Sequence, residues 1–556
     1  MILNKNLTGK KSRLKKKKII MNQKTLSALI TVISFGLYAC GGSSSKTPSF
    51  PPPPSIEEPT WIAGEFTDDS VYKNLCAIPR TGPDSNGDTF LDSQGTSMHE
   101  KMWLRSWTND TYLWYSEVDD NNPASFSVAD YFNQLKTNER TASGSFKDNF
   151  HFSQSTEDYN QRTQSGVTSG YGISWEFVSA SSPRRLIVRF TEPNSPAAIA
   201  SVIRGYELKS IDGIDFVNAS DEADVDQINA ALFPSDPGET FNFVFSDESK
   251  NDVLDINLTS QNIELQTVQN VKVISTDAGQ MGYMQFNSFI RTGQQGLIDG
   301  FQQFVDQGIT ELVIDLRYNG GGLLAMASQV AYMVAGSAQT NNQTFETLQF
   351  NDKYPSKNPI TDDSLQPTPF YTREIDWTTN QFTNNTLPTV NLTRVFILAT
   401  DNTCSASEAV INGLRGVDVE VVLIGDTTCG KPFGFYATDN CSTTYFTIQF
   451  QGINAKDFGE YSEGFSPVSS PIFDDQLPGC KVTDDFTRIL GDEDESLLAS
   501  AISYAETGSC PIQNKPTGKA KSKVTNIPVT GIAIKTPNTL FESIKILTPI
   551  SEPTSL

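Results

Sequence analysis

From Val271 onward the sequence alternates short, wholly apolar runs with longer amphipathic stretches. Short apolar runs are typical of strands buried on both faces, and the stretches between them are long enough to form connecting helices. This alternation predicts an α/β core, a mixed sheet with flanking helices in which at least some strands are parallel. The predicted strands are 281–286, 312–316, 395–399 and 419–424, and the predicted helices are 294–305, 323–334 and 405–415.

The chain has 556 residues, too many for one ordinary core, so two or three domains are expected. Between Thr168 and Leu258 short strands and turns predict a β-rich domain. The residues before it are aromatic and polar and predict a small, mainly helical block, in which Trp103, Trp107 and Trp114 are packing residues. We divide the chain into a signal peptide (1–40), a flexible linker (41–60), an N-terminal helical block (61–166), the β-rich domain (167–262), the α/β core (263–510, with an insertion at 337–392) and a tail of low order (511–556).

The first forty residues have the pattern of an export signal. Basic residues at 15–18 and 24 precede an apolar run, 26–39, that is too short to span a bilayer. The run ends in Leu37-Tyr38-Ala39-Cys40-Gly41, which resembles the lipobox of bacterial lipoproteins. That resemblance implies lipidation at Cys40 and an exported lipoprotein, anchored to a membrane and facing the periplasm or the cell surface. A plain signal peptide with a chance cysteine is the alternative.

The net charge and the cysteine content limit the classes of function that we expect for this protein. The formal net charge is -23, and residues 1–24 carry nine Lys and Arg, so the rest of the chain is strongly acidic and nucleic acid is not an expected partner. Besides Cys40 there are six cysteines, an even number that predicts disulfides in an exported chain but leaves about 15 pairings open. With two histidines and no CxxC pair, we expect neither a metal nor a cofactor.

Three polar loops follow predicted strands, where an α/β sheet places its active site: 319–322, 403–408 and 428–432. The span 425–431 has the spacing of a phosphate-binding loop, but Pro432 stands where a magnesium-binding Ser or Thr belongs. Ser405 opens a predicted helix and is a candidate nucleophile, although Ser405-x-x-Glu408 is also a capping box.

The base that would activate Ser405 is not expected to be histidine, because His99 and His151 both lie in the N-terminal block. Lys431 is the candidate base, since burial beside apolar residues favours a neutral amine. The amide of Ala406, with one from Gly321 or Gly322, would form an oxyanion hole.

Two segments carry family resemblances. Ser169-Gly170-Tyr171-Gly172-Ile173, with Asn194-Ser195-Pro196-Ala197-Ala198 and the run from Arg204 to Gly213, resembles a PDZ domain of bacterial proteases. Asp315-Leu316-Arg317-Tyr318-Asn319-Gly320-Gly321-Gly322, Ser405-Ala406-Ser407-Glu408 and Gly430-Lys431, 26 residues after Ser405, resemble the C-terminal processing, or tail-specific, serine protease family.

The resemblance implies a Ser405–Lys431 dyad, oxyanion donors at Gly321 and Ala406, and supporting positions at Ser407 and Gly322. It also implies peptide binding by Gly170, Tyr171, Gly172 and Ile173, with protein substrates held by their unstructured C-terminal tails. One departure concerns Phe435, because many members carry glutamine at that position to orient the lysine. The cysteines beside the dyad, Cys404 and Cys429, suggest a disulfide that makes the site rigid.

The sequence therefore predicts a serine-type endopeptidase. The alternative is a lipoprotein without catalytic activity that binds a peptide or an apolar ligand on the same fold, and Phe435 is the feature that favours it. A hydrolase of esters or sugars is less well supported, since the sequence has no GxSxG elbow and no recognisable pair of catalytic carboxylates.

Overall fold

The computed structural model describes residues 57–84, 87–234 and 236–511, together with the backbone of Lys545–Ile546. The chain divides into two units, Met1–Ser55 and Ile56–Leu556, and every described residue belongs to the second. The predicted signal peptide, Cys40 and nearly all of the linker and the tail lie outside the described residues. Within the described ranges, no helix combines the length and the apolar character needed to cross a membrane.

The N-terminal described residues form three α-helices, three short 3₁₀ helices and three short strands, around a core that includes Trp103, Trp107, Tyr131 and Phe132. Trp103 and Trp107 are buried and stack with ring centroids 5.1 Å apart, as expected of packing residues. The elements are α1 (Ser97–Thr111), α2 (Val128–Gln134), α3 (Thr156–Ser165), β1 (Leu75–Cys76), β2 (Ser93–Gln94) and β3 (Phe152–Ser155).

The next segment is a β-rich unit with its own hydrophobic core, which includes Leu186, Val188, Phe243 and Phe245. Its sheet has the strand order β10-β9-β7-β6-β5, with β8 paired to β7, and β4 pairs with β11 where the chain enters and leaves the unit. The elements are β4 (Val167–Gly170), β5 (Ile173–Ser179), β6 (Arg185–Thr191), α4 (Pro196–Ile199), β7 (Glu207–Ile211), β8 (Ile214–Asp215), α5 (Glu222–Leu232), β9 (Thr240–Ser246), β10 (Asp252–Thr259) and β11 (Gln261–Glu264).

The remaining residues form a mixed α/β core, as the alternating sequence predicts. Each predicted strand and helix of this region is present, with ends that differ by at most six residues. The elements are β12 (Val268–Thr276), β13 (Gly279–Phe286), α6 (Gly293–Gln307), β14 (Glu311–Asp315), β15 (Gly322–Leu323), α7 (Leu324–Thr340), β16 (Thr344–Gln349), β17 (Thr368–Pro369), β18 (Arg373–Asp376), β19 (Gln381–Thr386), β20 (Arg394–Ala399), α8 (Ala406–Gly416), β21 (Glu420–Gly425), β22 (Phe433–Gly434), β23 (Thr438–Asn440), β24 (Thr443–Phe446), β25 (Phe450–Ile453), β26 (Ser466–Val468), β27 (Gln476–Lys481), α9 (Ser496–Thr507) and β28 (Lys545–Ile546).

The central sheet has the strand order β12-β13-β14-β20-β21-β27-β26, and all neighbouring pairs are parallel except β12 with β13. Its residues alternate between two buried faces: along β20, Val395 and Ile397 contribute to one core, and Phe396 and Leu398 to the other. Helices α6, α7 and α8 cover the first face and α9 covers the second. This three-layer arrangement leaves the carboxyl ends of β14, β20 and β21 side by side.

The N-terminal residues and the insertion at 337–392 are joined to this core. Strand β3 pairs with β24, and a disulfide links Cys76 to Cys441. Within the insertion, β16 pairs with β25 of the core. Both segments therefore pack on the core near the loops that follow its parallel strands.

Candidate active site

The three predicted loops meet at the carboxyl edge of the central sheet. The amide of Cys404 donates to the carbonyl of Asn319 at 3.1 Å, and the amide of Cys429 donates to the carbonyl of Thr403 at 3.0 Å. These loops follow β14, β20 and β21, which are neighbours in the sheet. Strand order thus brings together residues that are up to 113 positions apart in the sequence.

Ser405 lies at a sharp turn between β20 and α8. Its backbone has φ 62° and ψ -109°, a conformation that a non-glycine residue adopts only at an energetic cost. Its side chain is fully buried, and its Oγ has no hydrogen-bond partner among the described residues. Ser405 and Glu408 have the arrangement of a capping box at the start of α8, but Oγ makes no fully formed hydrogen bond there, and leaving a buried hydroxyl unpaired costs about 1–3 kcal/mol. A strained, unpaired hydroxyl at a strand-to-helix turn is typical of a nucleophile.

Glu408 connects the loop of Ser405 to the loop of Lys431. Its carboxylate accepts hydrogen bonds from the amides of Ser405, Gly430 and Lys431, each at 2.8 Å, and from Thr428 Oγ1 at 2.6 Å. Burial raises the pKa of Glu408, while the bonds from Thr428 and the three amides act in the opposite direction. The sequence motif identifies Glu408 only as a helix cap, and its wider role depends on the tertiary fold.

Lys431 is fully buried, as predicted, and its amine lies between two aromatic rings. Nζ is 4.6 Å from the ring centroid of Phe150 and 4.5 Å from that of Phe435. Phe435 therefore contacts the amine from the position where a glutamine is common in the resembling family. Phe150, 281 residues before Lys431, was not identified from the sequence, because no local pattern relates it to the lysine.

A disulfide joins Cys404, the neighbour of Ser405, to Cys429, two residues before Lys431. The sequence suggested a disulfide at these cysteines, and the structure pairs them with each other. The remaining two disulfides among the described residues are Cys76–Cys441 and Cys480–Cys510. Glu408 Oε lies within 4.8 Å of both sulfurs of the first pair, but those sulfurs bond to each other, which leaves only the carboxylate as a metal ligand.

The predicted oxyanion donors, Ala406 and Gly321, lie in two of the three loops that meet at the carboxyl edge of the sheet. Ala406 is the first residue of α8, so its amide has no acceptor within the helix. The amide of Gly321 donates to Asn319 Oδ1 at 2.9 Å, so this predicted donor already has an acceptor. Ser407 Oγ donates to the carbonyl of Asn319 at 2.8 Å and thereby attaches α8 to the glycine turn.

A cavity of about 510 Å³ lies between the β-rich unit and the core. Its wall includes both Gly170–Ile173 and Gly320–Leu323, but neither Ser405 nor Lys431. The link between β4 and β5 requires glycine at position 172, since a Cβ there would lie 2.2 Å from the Cβ of Ser195. The cavity thus connects the predicted peptide loop with the glycine turn beside the serine.

Glu192 lines this cavity and is mostly buried. Burial raises its pKa from 4.5 to about 7, against the opposing effect of a hydrogen bond from the amide of Gln266. Its carboxyl group therefore changes charge near neutral pH. Sequence analysis did not single out this residue, because its effect comes from the burial that the fold produces.

Part of the chain is similar in sequence to known peptidases. Residues 280–440 match the family model of Peptidase family S41. A carboxyl-terminal-processing protease from Picosynechococcus sp. is 29% identical over 140 residues, which is 25% of this chain and 32% of that protein. The chain therefore matches about a third of the length of this curated relative.

One solved structure shows the same fold. A protein from Bacteroides fragilis assigned to the S41 proteases aligns with a TM-score of 0.54 at 20% identity, covering 73% of this chain and 97% of that one. The photosystem II D1 C-terminal processing protease aligns at 16% identity and a TM-score of 0.41, covering 72% and 97%. The span that matches the model of Peptidase family S41, residues 280–440, contains the glycine turn, Ser405 and Lys431.

Proposed function

We propose that this protein is a serine-type endopeptidase that uses Ser405 as nucleophile and Lys431 as general base. The observation that carries the proposal is the buried, strained and unpaired hydroxyl of Ser405, on a loop joined through Glu408 to the backbone of Lys431. A fully buried amine, on a loop that Glu408 joins to the loop of a fully buried hydroxyl, supports lysine as the base. The family supports peptide-bond hydrolysis as the reaction.

In the proposed reaction, Ser405 Oγ forms a bond to the carbonyl carbon of a peptide while its proton passes to Lys431 Nζ. The negative charge on the carbonyl oxygen is stabilised by the amide of Ala406 and by an amide of the glycine turn. Gly321 serves this purpose only if its amide leaves Asn319, whereas Gly322 follows it in the cavity wall. The C–N bond then breaks, and the leaving amine takes the proton from Lys431.

Water attacks the resulting acyl-enzyme, with Lys431 accepting its proton and returning it to Ser405 as the acid product leaves. Ser405 Oγ and Lys431 Nζ are not hydrogen-bonded to each other in this structure, so proton transfer between them requires a movement of at least one of the two side chains. Both side chains are fully buried, so the same movement also has to admit the substrate.

For substrate capture, we assign the Gly170–Ile173 link a PDZ-like role in holding the unstructured tail of a protein substrate. The continuous cavity from this link to Gly320–Leu323 supports the assignment, because a peptide held at one end can extend toward the other. Three disulfides among the described residues support a protein that works in an oxidising compartment outside the cytoplasm, consistent with the exported lipoprotein expected from Cys40.

The direct test uses Ser405→Ala and Lys431→Met, with Lys481→Met as a matched control on an exposed lysine. We expect the first two variants to lose all measurable cleavage of an unfolded protein and the control to retain it, with circular dichroism spectra unchanged in all three. Undiminished cleavage by Ser405→Ala or Lys431→Met would contradict the assigned dyad.

The second candidate function is peptide binding without catalysis, and the rings of Phe150 and Phe435 favour it. A ring face attracts an ammonium ion more than a neutral amine, which opposes the role of a base. A fluorophosphonate probe separates the two functions. An adduct on Ser405 supports the peptidase, and an unlabelled chain that still binds peptide supports the binding protein.

A further inference from the structure

Beyond the dyad, the glycine turn has an extended partner from much later in the chain. Lys545–Ile546 pairs in parallel with Gly322–Leu323, with Lys545 opposite Gly322 and Ile546 opposite Leu323. On the other side of the turn, the amide of Leu323 donates to the carbonyl of Phe289 at 2.8 Å. The segment 545–546 therefore occupies the second edge of β15, the edge to which an incoming peptide could add as a strand.

The same segment also lies beside the lysine loop. The Cα atoms of β28 lie within 8 Å of those of β22, which begins two residues after Lys431. Strand β28 is thus placed between the glycine turn proposed to stabilise the oxyanion and the chain that carries the proposed base. A peptide that added to this edge of β15 as a strand would take the position that β28 holds.

The structure around the dyad is closed to a substrate. Ser405 and Lys431 each have 0% of their surface exposed, and neither belongs to the wall of the cavity that reaches Gly320–Leu323. A substrate therefore cannot contact the serine in this conformation. Strand β28 is attached to β15 by backbone pairing, and its departure would open that edge.

The net charge of the C-terminal residues favours the position of β28 beside the core. Residues 512–556 contain six Lys and two Glu, a net charge of +4, whereas residues 25–511 contain 27 basic and 63 acidic side chains, a net charge of -36. A basic segment is attracted to an acidic body at long range. Its covalent attachment, with 33 residues between Pro511 and Lys545, also keeps it at a high effective concentration near the site.

We propose that Lys545–Ile546 is an autoinhibitory strand that occupies the substrate-binding edge of β15 and has to leave before a protein substrate can reach Ser405. The expected effect of this strand on cleavage rests on the proposed peptidase function, whereas its expected effect on peptide binding does not. The ligand of the β15 edge is then an extended peptide backbone. This chain supplies that backbone at rest, and the substrate supplies it during turnover.

The test substitutes proline in the full-length protein. Ile546→Pro removes a backbone N–H and disfavours strand pairing, while Ala520→Pro places the same residue elsewhere in the basic segment as a matched control. We expect Ile546→Pro to raise kcat/KM for an unfolded protein by about three- to tenfold, the size of one lost hydrogen bond, and the control to leave it unchanged. Equal values of kcat/KM for both variants would overturn the proposal.

A binding assay keeps the result independent of catalysis. In the Ser405→Ala background, a fluorescent peptide with the sequence of residues 540–551 is titrated against chains with and without Ile546→Pro. We expect tighter binding, by the same three- to tenfold, only when the internal strand is disrupted. Equal affinity, or no binding by any variant, would refute the autoinhibitory strand, whereas binding without cleavage by any form would instead refute the proposed peptidase.

Discussion

Glu408 is the residue on which the geometry of the candidate dyad most depends. One fully buried carboxylate accepts from the backbone on both sides of the site, so the position of the Ser405 loop is tied to that of the Lys431 loop. Four donors converge on it, two on each carboxylate oxygen, so an amide at this position would leave two of them without an acceptor. Glu408 is therefore a positioning residue, which acts through the two loops and not on the substrate.

Glu408→Gln is expected to lower the unfolding free energy by about 3 kcal/mol, because an amide NH₂ would face backbone donors that need an acceptor. We also expect slower labelling of Ser405 by a fluorophosphonate under conditions where the chain remains folded. Urea denaturation and the labelling rate measure the two effects. Glu463→Gln, at an exposed position, is the matched control, and equal labelling rates for the two variants would contradict the positioning role.

Glu192 predicts a pH dependence of stability. Its pKa is about 7 in the folded chain and 4.5 in the reference state, so the folded chain binds more protons between these values. The stability associated with the protonated carboxyl group is therefore fully present below pH 4.5 and is lost as pH rises through about 7. Glu192→Gln removes the ionisable carboxyl group, so the variant does not lose this stability as pH rises.

We expect Glu192→Gln to raise the unfolding free energy by up to about 3 kcal/mol at pH 8 and to leave it nearly unchanged at pH 4. Urea denaturation at both pH values measures the difference. Glu176→Gln, on the same cavity wall but paired with Arg189, is the comparison. A stabilisation that does not depend on pH would contradict the assignment of the titration to Glu192.

At the scale of elements, the disulfide Cys404–Cys429 links the N-terminus of α8 to the loop after β21. Glu408 links the same two elements through hydrogen bonds, so the covalent bond and the carboxylate restrain one geometry. The disulfide Cys480–Cys510 has a similar sequence separation, 30 residues against 25, but joins β27 to the segment that follows α9. The two bridges therefore form a matched pair for separating stability from site geometry.

Replacing both cysteines of either bridge with alanine is expected to lower the unfolding free energy by about 3 kcal/mol, since both bridges close loops of similar length. Only the change at Cys404 and Cys429 should also reduce kcat/KM and the rate of fluorophosphonate labelling, because only that bridge adjoins Ser405 and Lys431. Urea denaturation and labelling at a temperature where both variants are folded measure the effects. The same labelling rate for both variants would indicate that the bridge at the site has only a stabilising role.

At the scale of the whole molecule, Tyr318 connects the β-rich unit with the turn that contains Gly321. Its hydroxyl accepts from Arg204 Nη1 at 2.7 Å and donates to Asp484, and its ring stacks on Phe190. Arg317, next to it, is fully buried and forms ion pairs with Asp484 and with Glu495. Asp315 and Glu495, and to a smaller extent Asp484, raise the pKa of Arg317 against the effect of burial. Arg317 and Arg204 lower the pKa of Asp484, also against burial, so these groups stay charged and the network is a fixed contact between the two parts.

The sequence by itself determined the α/β core, because the local periodicity of apolar residues indicates which face of a strand or helix is buried. Strand 312–316 was predicted and is observed at 311–315, and helix 405–415 is observed at 406–416. The motifs around Ser405 and Lys431 also marked the loops that meet at the carboxyl edge of the sheet. These features depend on neighbours within a few residues, or on the rule that parallel strands end at the same edge.

Only the tertiary structure decided what surrounds those motifs. It selected one pairing for the six cysteines, placed Phe150 against Lys431, and gave the amide of Gly321 an acceptor in Asn319. It also left Ser405 Oγ without a partner, although its local motif is that of a helix cap. These outcomes depend on contacts between residues far apart in the chain, which local periodicity does not encode because they arise only when separate elements pack.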